Sequence, residues 1–113
     1  MVVGKERRRA YRIYVPELRV RVAGYEYDFK AWDLSILGIG FMYGANPFRL
    51  AQILRMDLLE HSGIILSGVD AIVSRMGAGV VGCAFLRLQA SQQSAVEALV
   101  LRMQAERIAQ TGA

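Results

Sequence analysis

The chain has 113 residues, 54% of them from the apolar set AVILMFWYC and 21% charged, with 14 Lys+Arg against 10 Asp+Glu. That is the length of one domain, too apolar for intrinsic disorder, yet without the uninterrupted apolar run of about 18 residues that a membrane-spanning helix needs. The charge excess is local: Lys5 to Arg21 holds seven basic and two acidic residues, a balance of +5, and the other 96 residues together carry −1.

The leader ends in Arg7-Arg8-Arg9, and no apolar stretch follows, so no secretory signal is expected. From about residue 12 to 88 the pattern is strand-like. Ile13 and Val15 alternate with Arg12 and Tyr14; after Pro16-Glu17 the alternation resumes as Leu18, Val20 and Val22, which predicts one strand with a bulge at the proline. Ala23-Gly24 turns the chain into a second strand, Tyr25 to Trp32, and a third is expected from Ile36 to Met42. After the turn at Gly44-Ala45-Asn46-Pro47 come a fourth strand, Ile53 to Leu59, and a fifth, Ile64 to Ser74, bent at Gly68. Gly77-Ala78-Gly79 leads into the sixth, Val80 to Leu86. Six strands with glycine turns and no helix between them favour a closed antiparallel barrel, which also removes sheet edges.

From about residue 91 to 109 the period becomes helical: Val96, Leu99, Val100 and Met103 form one stripe, with Ser94 and Glu97 as a capping box or Ser91 as an alternative cap. Leu101 and Ile108 lie on a second flank that can widen the core face or bind a partner, a second copy included. The expectation is a single all-β domain over residues 1–113: an arm at 1–12, a six-stranded antiparallel barrel at 12–88 and a C-terminal helix at 91–109.

Catalytic chemistry finds little support. His61, the one histidine, falls in a predicted turn, and Cys83, the one cysteine, sits in an apolar strand with nothing cationic beside it to activate a thiolate. No disulfide, structural metal or bound cofactor is expected, and the location expected is a reducing cytoplasm. Asp28, Asp57, Glu60 and Asp70 make no spaced acid/base pair, and Gly38-Ile39-Gly40 lacks the Lys-Ser/Thr and following helix of a phosphate loop. An enzyme is not expected.

Two segments carry more information. Arg7-Arg8-Arg9-Ala10-Tyr11-Arg12 holds four arginines and no lysine. A guanidinium offers a planar fork that matches phosphate oxygens and the O6/N7 edge of guanine, and its face stacks on a base. The segment reads either as an arm that orders over a ligand or as a solvated basic leader. Asp33-Leu34-Ser35-Ile36-Leu37-Gly38 then places an acceptor, a hydroxyl and a glycine in one short stretch. In an extended chain Asp33 and Ser35 project to the same side, where a carboxylate can accept from guanine N1–H and the N2 amino group. Gly38 permits a close backbone approach or a positive φ. A plain Asx/Ser turn between strands is the alternative reading.

Together the two segments resemble the PilZ domain family, bacterial receptors for the second messenger cyclic di-GMP. The family signature is RxxxR, often RRxxxR, followed after a strand pair by D/N-x-S-x-x-G. Arg8 and Arg12 match the first motif, with Arg7 as the preceding arginine; Asp33, Ser35 and Gly38 match the second without departure, and Gly82-Cys83-Ala84-Phe85 is similar to the family's G-x-x-F strand. The resemblance runs from Glu6 into the helix and implies the same barrel-plus-helix fold.

It also implies a ligand site formed by Arg7, Arg8, Arg12, Asp33, Ser35 and Gly38 at the mouth of the barrel. Arg8 and Arg12 are expected on phosphate and a guanine Hoogsteen edge, Asp33 and Ser35 on a guanine, and Arg7 favours binding of cyclic di-GMP as an intercalated pair. Such a receptor signals by ordering its arm and presenting a changed surface to an effector protein. Two other readings stand beside it: a nucleotide-independent adaptor, and a small nucleic-acid-binding barrel using Tyr25, Tyr27, Phe29 or Trp32 as stacking platforms. The net acidic remainder of the chain speaks against the last.

Overall fold

Pro16 cannot donate to a sheet ladder, and the chain turns there. In the computed structural model, which describes residues 11–111, the Leu18 N–H donates to the Val15 carbonyl at 3.1 Å and closes a turn over Pro16-Glu17. The first predicted strand is therefore two: β1 (Ile13–Tyr14) and β2 (Arg19–Val22). Both pair with β3 (Phe29–Leu34), and the bonds Val15 N–H to Trp32 O and Leu18 O to Ala31 N–H carry the ladder across the interruption. The remaining strands are β4 (Gly38–Met42), β5 (Ile53–Glu60), β6 (Gly63–Gly77) and β7 (Val80–Leu86).

All pairings are antiparallel. β2, β5, β6, β7, β4 and β3 follow one another round a ring that the β3–β4 pairing closes. The expected six-stranded antiparallel barrel is thus present, with β1 as an added strand beside β3.

Boundaries shift where side chains take over from the ladder. β3 starts at Phe29 rather than Tyr25, because a bidentate Arg21–Asp28 pair spans the connection and the Tyr25 hydroxyl donates to the Pro47 carbonyl at 2.7 Å. β4 starts at Gly38 rather than Ile36, since Ser35 N–H to Gly38 O closes a turn over Ile36-Leu37. Gly68 bends β6 as expected: it adopts φ +65°, and its N–H donates to Asp57 Oδ1 at 2.8 Å.

Inside the ring, Val20, Val22, Leu34, Ile39, Phe41, Leu58, Val69 and Val81 are buried, and Phe29, Phe41, Phe48 and Tyr25 form an aromatic cluster at one end. Each such side chain contributes about 1.5–3 kcal/mol by leaving water. α1 (Ala90–Thr111) lays Val96, Leu99, Val100 and Met103, its predicted stripe, against β6 and β1. Its cap is neither Ser91 nor Ser94. Gln89 precedes the helix, and Gln92, three residues on, accepts the Gln89 N–H at 3.0 Å while donating to the Ser67 and Gly68 carbonyls. Arg107 near the other end donates to the Tyr14 carbonyl and pairs with Glu17, fastening the helix to β1. No helix among the described residues is long and apolar enough to cross a membrane.

Candidate functional site

β3 carries the centre of the site through an irregularity. Its register against β4 shifts between Ala31 and Asp33. Ala31 and Leu34 are fully buried, so both residues between them, Trp32 and Asp33, turn outward, where strict alternation would bury Asp33. Arg12, just before β1, lies beside it: Nε donates to Asp33 Oδ2 at 2.7 Å and Nη2 to Oδ1 at 3.3 Å. One residue from each motif, 21 positions apart, therefore forms a bidentate pair. Only 31% of the Arg12 side chain and 15% of that of Asp33 remain accessible, so the pair is partly withdrawn from water and held tighter than an exposed one. Tyr14, opposite Asp33 on β1, packs edge-on against Trp32 with ring centroids 4.8 Å apart.

The floor beside Asp33 is built on glycines, over which the Asp33 and Arg75 side chains lie. Asp33 pairs with Gly40 on β4, and Gly40 with Gly82 on β7. A Cβ on Gly40 would overlap Asp33 Oδ1, so the carboxylate occupies the space this glycine leaves empty. Around the floor, Trp32, Asp33, Met42, Arg75, Met76 and Val80 line a cleft of about 480 Å³, a volume within the usual range for small-molecule sites. It lies on the outer wall of the barrel, since the neighbours Ile39, Phe41 and Val81 point inward and are buried. The cleft beside Asp33 is therefore on the side of the barrel rather than at its mouth.

The other predicted residues fall as follows. Ser35 is completely buried, and its Oγ accepts the Leu37 N–H at 3.1 Å, so it holds the turn after β3 rather than sharing a solvent face with Asp33. Gly38 is buried with an ordinary φ. A Cβ there would run into the Cys83 carbonyl, so its smallness allows β4 to approach β7, and the positive-φ alternative is not used. Arg7 and Arg8 lie outside the described residues. Gly40 and Arg75 were not singled out as site residues from the sequence, although Gly40, opposite Gly82, is the visible trace of a place where neighbouring side chains lie directly on the backbone.

The one cysteine and the one histidine both lie away from the cleft. Burial pushes the Cys83 thiol up to about 12, which leaves it protonated and unreactive at neutral pH. His61 is an exposed turn residue. Of the aromatic residues considered as stacking platforms, Phe29 is in the core and Tyr25 stacks on Phe48, while Trp32 alone lines the cleft.

Known structures share this architecture. MrkH in complex with c-di-GMP from K. pneumonia superposes with a TM-score of 0.75 at 19% identity, over 92% of this chain and 55% of that one. YcgR in complex with c-di-GMP from Escherichia coli gives 0.75 at 16%, over 94% and 50%. The PilZ domain of YcgR with c-di-GMP, also from Escherichia coli, gives 0.71 at 17%, over 94% and 98%. The chain thus spans about half the length of MrkH and YcgR and nearly all of the separate domain. At these identities the likeness speaks for the fold. No curated protein matches the sequence. The sequence profile of the PilZ domain matches residues 6–102, through both motifs, the barrel and half of the helix, and the chain belongs to the PilZ domain family.

Proposed function

We propose that this chain is a cytoplasmic receptor, not an enzyme, that binds cyclic di-GMP on the outer wall of its barrel. The observation that carries the reading is the Arg12–Asp33 pair, which brings the two motifs together at the edge of a cleft on the outer wall. The c-di-GMP complexes of MrkH and YcgR, proteins of the same fold, support the choice of ligand.

The pair is complementary to the ligand as well as to itself. Arg12 exchanges Asp33 for a phosphate or a guanine Hoogsteen edge, and Asp33 in turn accepts from guanine N1–H and the N2 amino group. Ser35 and Gly38 act beneath, Ser35 by holding the turn and Gly38 by letting the strands close up. Arg7 and Arg8 belong to the arm, residues 1–12, which folds over the bound ligand; with Arg7 present, an intercalated pair is the expected form. The barrel and α1 (Ala90–Thr111) act as one domain.

The output is a changed surface read by an effector protein. Tyr11, adjacent to Arg12, lines grooves together with Ile36, Leu101, Gln104 and Ile108 of the helix side, so a shift of Arg12 reaches that apolar face directly. Calorimetric titration with cyclic di-GMP tests the reading. Binding is expected with a stoichiometry near two ligands per chain, and Arg8→Ala or Arg12→Ala removes a charge-assisted contact, about tenfold to a hundredfold in affinity. No binding, or unchanged affinity in both variants, contradicts it.

A further inference from the structure

Four residues form one row across the outer wall: Asp33 on β3 opposite Gly40, Gly40 opposite Gly82 on β7, and Gly82 opposite Arg75 on β6. Arg75 owes its place to a second irregularity. The β6–β7 register shifts between Val73 and Arg75, so Ser74 and Arg75 are both outside the barrel, whereas alternation from buried Val73 would turn Arg75 inward. Its side chain lies over Gly82. A Cβ at that glycine would stand 3.1 Å from Arg75 Cγ, 3.2 Å from Nε and 3.3 Å from Cζ. The two glycines thus have matching uses, Gly40 beneath the Asp33 carboxylate and Gly82 beneath the Arg75 guanidinium.

The Arg75 side chain makes no ion pair or hydrogen bond to another described residue, unlike those of Arg12, Arg21, Arg55, Arg102 and Arg107. It lines the cleft with its donors uncommitted among the described residues. The backbones of Asp33 and Arg75 are three strand spacings apart, roughly 14 Å, but their side chains reach toward each other, the carboxylate over Gly40 and the guanidinium over Gly82, its partner on the next strand. The two charged groups therefore face the same stretch of the cleft, about one strand spacing apart.

We infer that Arg75 is a further ligand-binding residue, which takes the O6/N7 edge of a guanine of the ligand held beside Asp33. This rests on the proposed receptor function and deepens it. Trp32, Met42, Met76 and Val80 supply the apolar walls on which the base faces pack, and the planar fork of Arg75 supplies the polar contact that fixes that base. Because the Arg75 guanidinium bonds to no other described residue, its loss is read in binding.

The test is calorimetric titration of the full chain with cyclic di-GMP, comparing wild type, Arg75→Ala, Arg75→Lys, Arg12→Ala and Arg49→Ala, each with a melting curve. Arg49 is an exposed arginine away from the cleft and controls for lost charge. Arg75→Ala is expected to bind about tenfold more weakly with an unchanged melting temperature, Arg75→Lys to recover only part of the loss, and Arg49→Ala to match wild type. Wild-type affinity in Arg75→Ala alongside a loss in Arg12→Ala overturns the role of Arg75 and leaves the receptor function standing. An equal loss in Arg49→Ala, or full recovery in Arg75→Lys, overturns planar recognition at this position. A wild-type chain that fails to bind overturns the receptor function itself.

Discussion

Gly38 and Gly40 are two residues apart on one strand and do different work. Gly38 faces a neighbouring backbone: its missing Cβ is where the Cys83 carbonyl sits, and a strand pair cannot yield there without parting β4 from β7. Gly40 faces a side chain, the Asp33 carboxylate, which can swing away. Alanine at position 38 is therefore expected to cost about 2–3 kcal/mol of stability, and alanine at position 40 about 1 kcal/mol or less, by the usual scale of overpacking. Ligand affinity reverses the order of interest: Gly40→Ala pushes Asp33 off Arg12 and out of its binding position, and weakens cyclic di-GMP binding about tenfold in a chain that still melts cooperatively. Denaturant titration and calorimetry on the two variants check both halves. Of these residue roles, the motif spacing made Asp33, Gly38 and Arg12 visible. It could not reveal that Ser35 would be buried, because that follows from the turn it closes with Leu37 and Gly38.

Among the elements, the spans of the later strands and of the helix were legible and the bulges within strands were not. β7 runs from Val80 to Leu86 as its apolar pattern predicts, and the helix buries the stripe that its spacing marks. Pro16 announced an interruption, but whether it would make a bulge or a turn depended on Leu18 reaching the Val15 carbonyl. The bulges in β3 and β6 are decisive, since each puts a charged wall residue, Asp33 or Arg75, on the outside against the alternation. Nothing local in either sequence segment marks them; they arise from how each strand meets its neighbour.

The strands are also tied by ion pairs that titrate. Hydrogen bonding to Arg21 and to Arg55 holds the Asp28 and Asp70 carboxyls below the ordinary aspartate value. A carboxyl depressed in the folded chain binds its proton less readily than in the unfolded one, so its stabilisation is full above the ordinary pKa and disappears as pH falls through the depressed value. Thermal stability is expected to be flat in this respect above about pH 5 and to fall below about pH 4. The Asp28→Asn, Asp70→Asn double variant, melted across the same range, is expected to show a shallower acid decline. Both pairs are largely exposed, so the effect is modest and salt weakens it.

At the scale of the whole molecule, the distribution of charge acquires a meaning that its total lacks. Half of the basic residues lie between Lys5 and Arg21, and the described part of that segment, Tyr11 to Arg21, runs beside β3 and ends against the helix through Arg107 and Glu17. The Arg12–Asp33 pair, Tyr11 and the helix are thus contiguous: Asp33 holds Arg12, Tyr11 lines grooves beside the helix, and Arg107 fastens β1. On the proposed receptor function, a ligand that reorganises the first link is expected to act on the last. The measurement that tests the central claim most directly is amide chemical-shift mapping during titration of the full chain with cyclic di-GMP. The account predicts the largest shifts at Arg12, Trp32 to Ser35, Gly38 to Gly40, Arg75 and Gly82, with smaller ones at Tyr11 and the adjoining helix face. Shifts that are absent, or centred on the opposite groove where Leu66 meets Leu99, would contradict it.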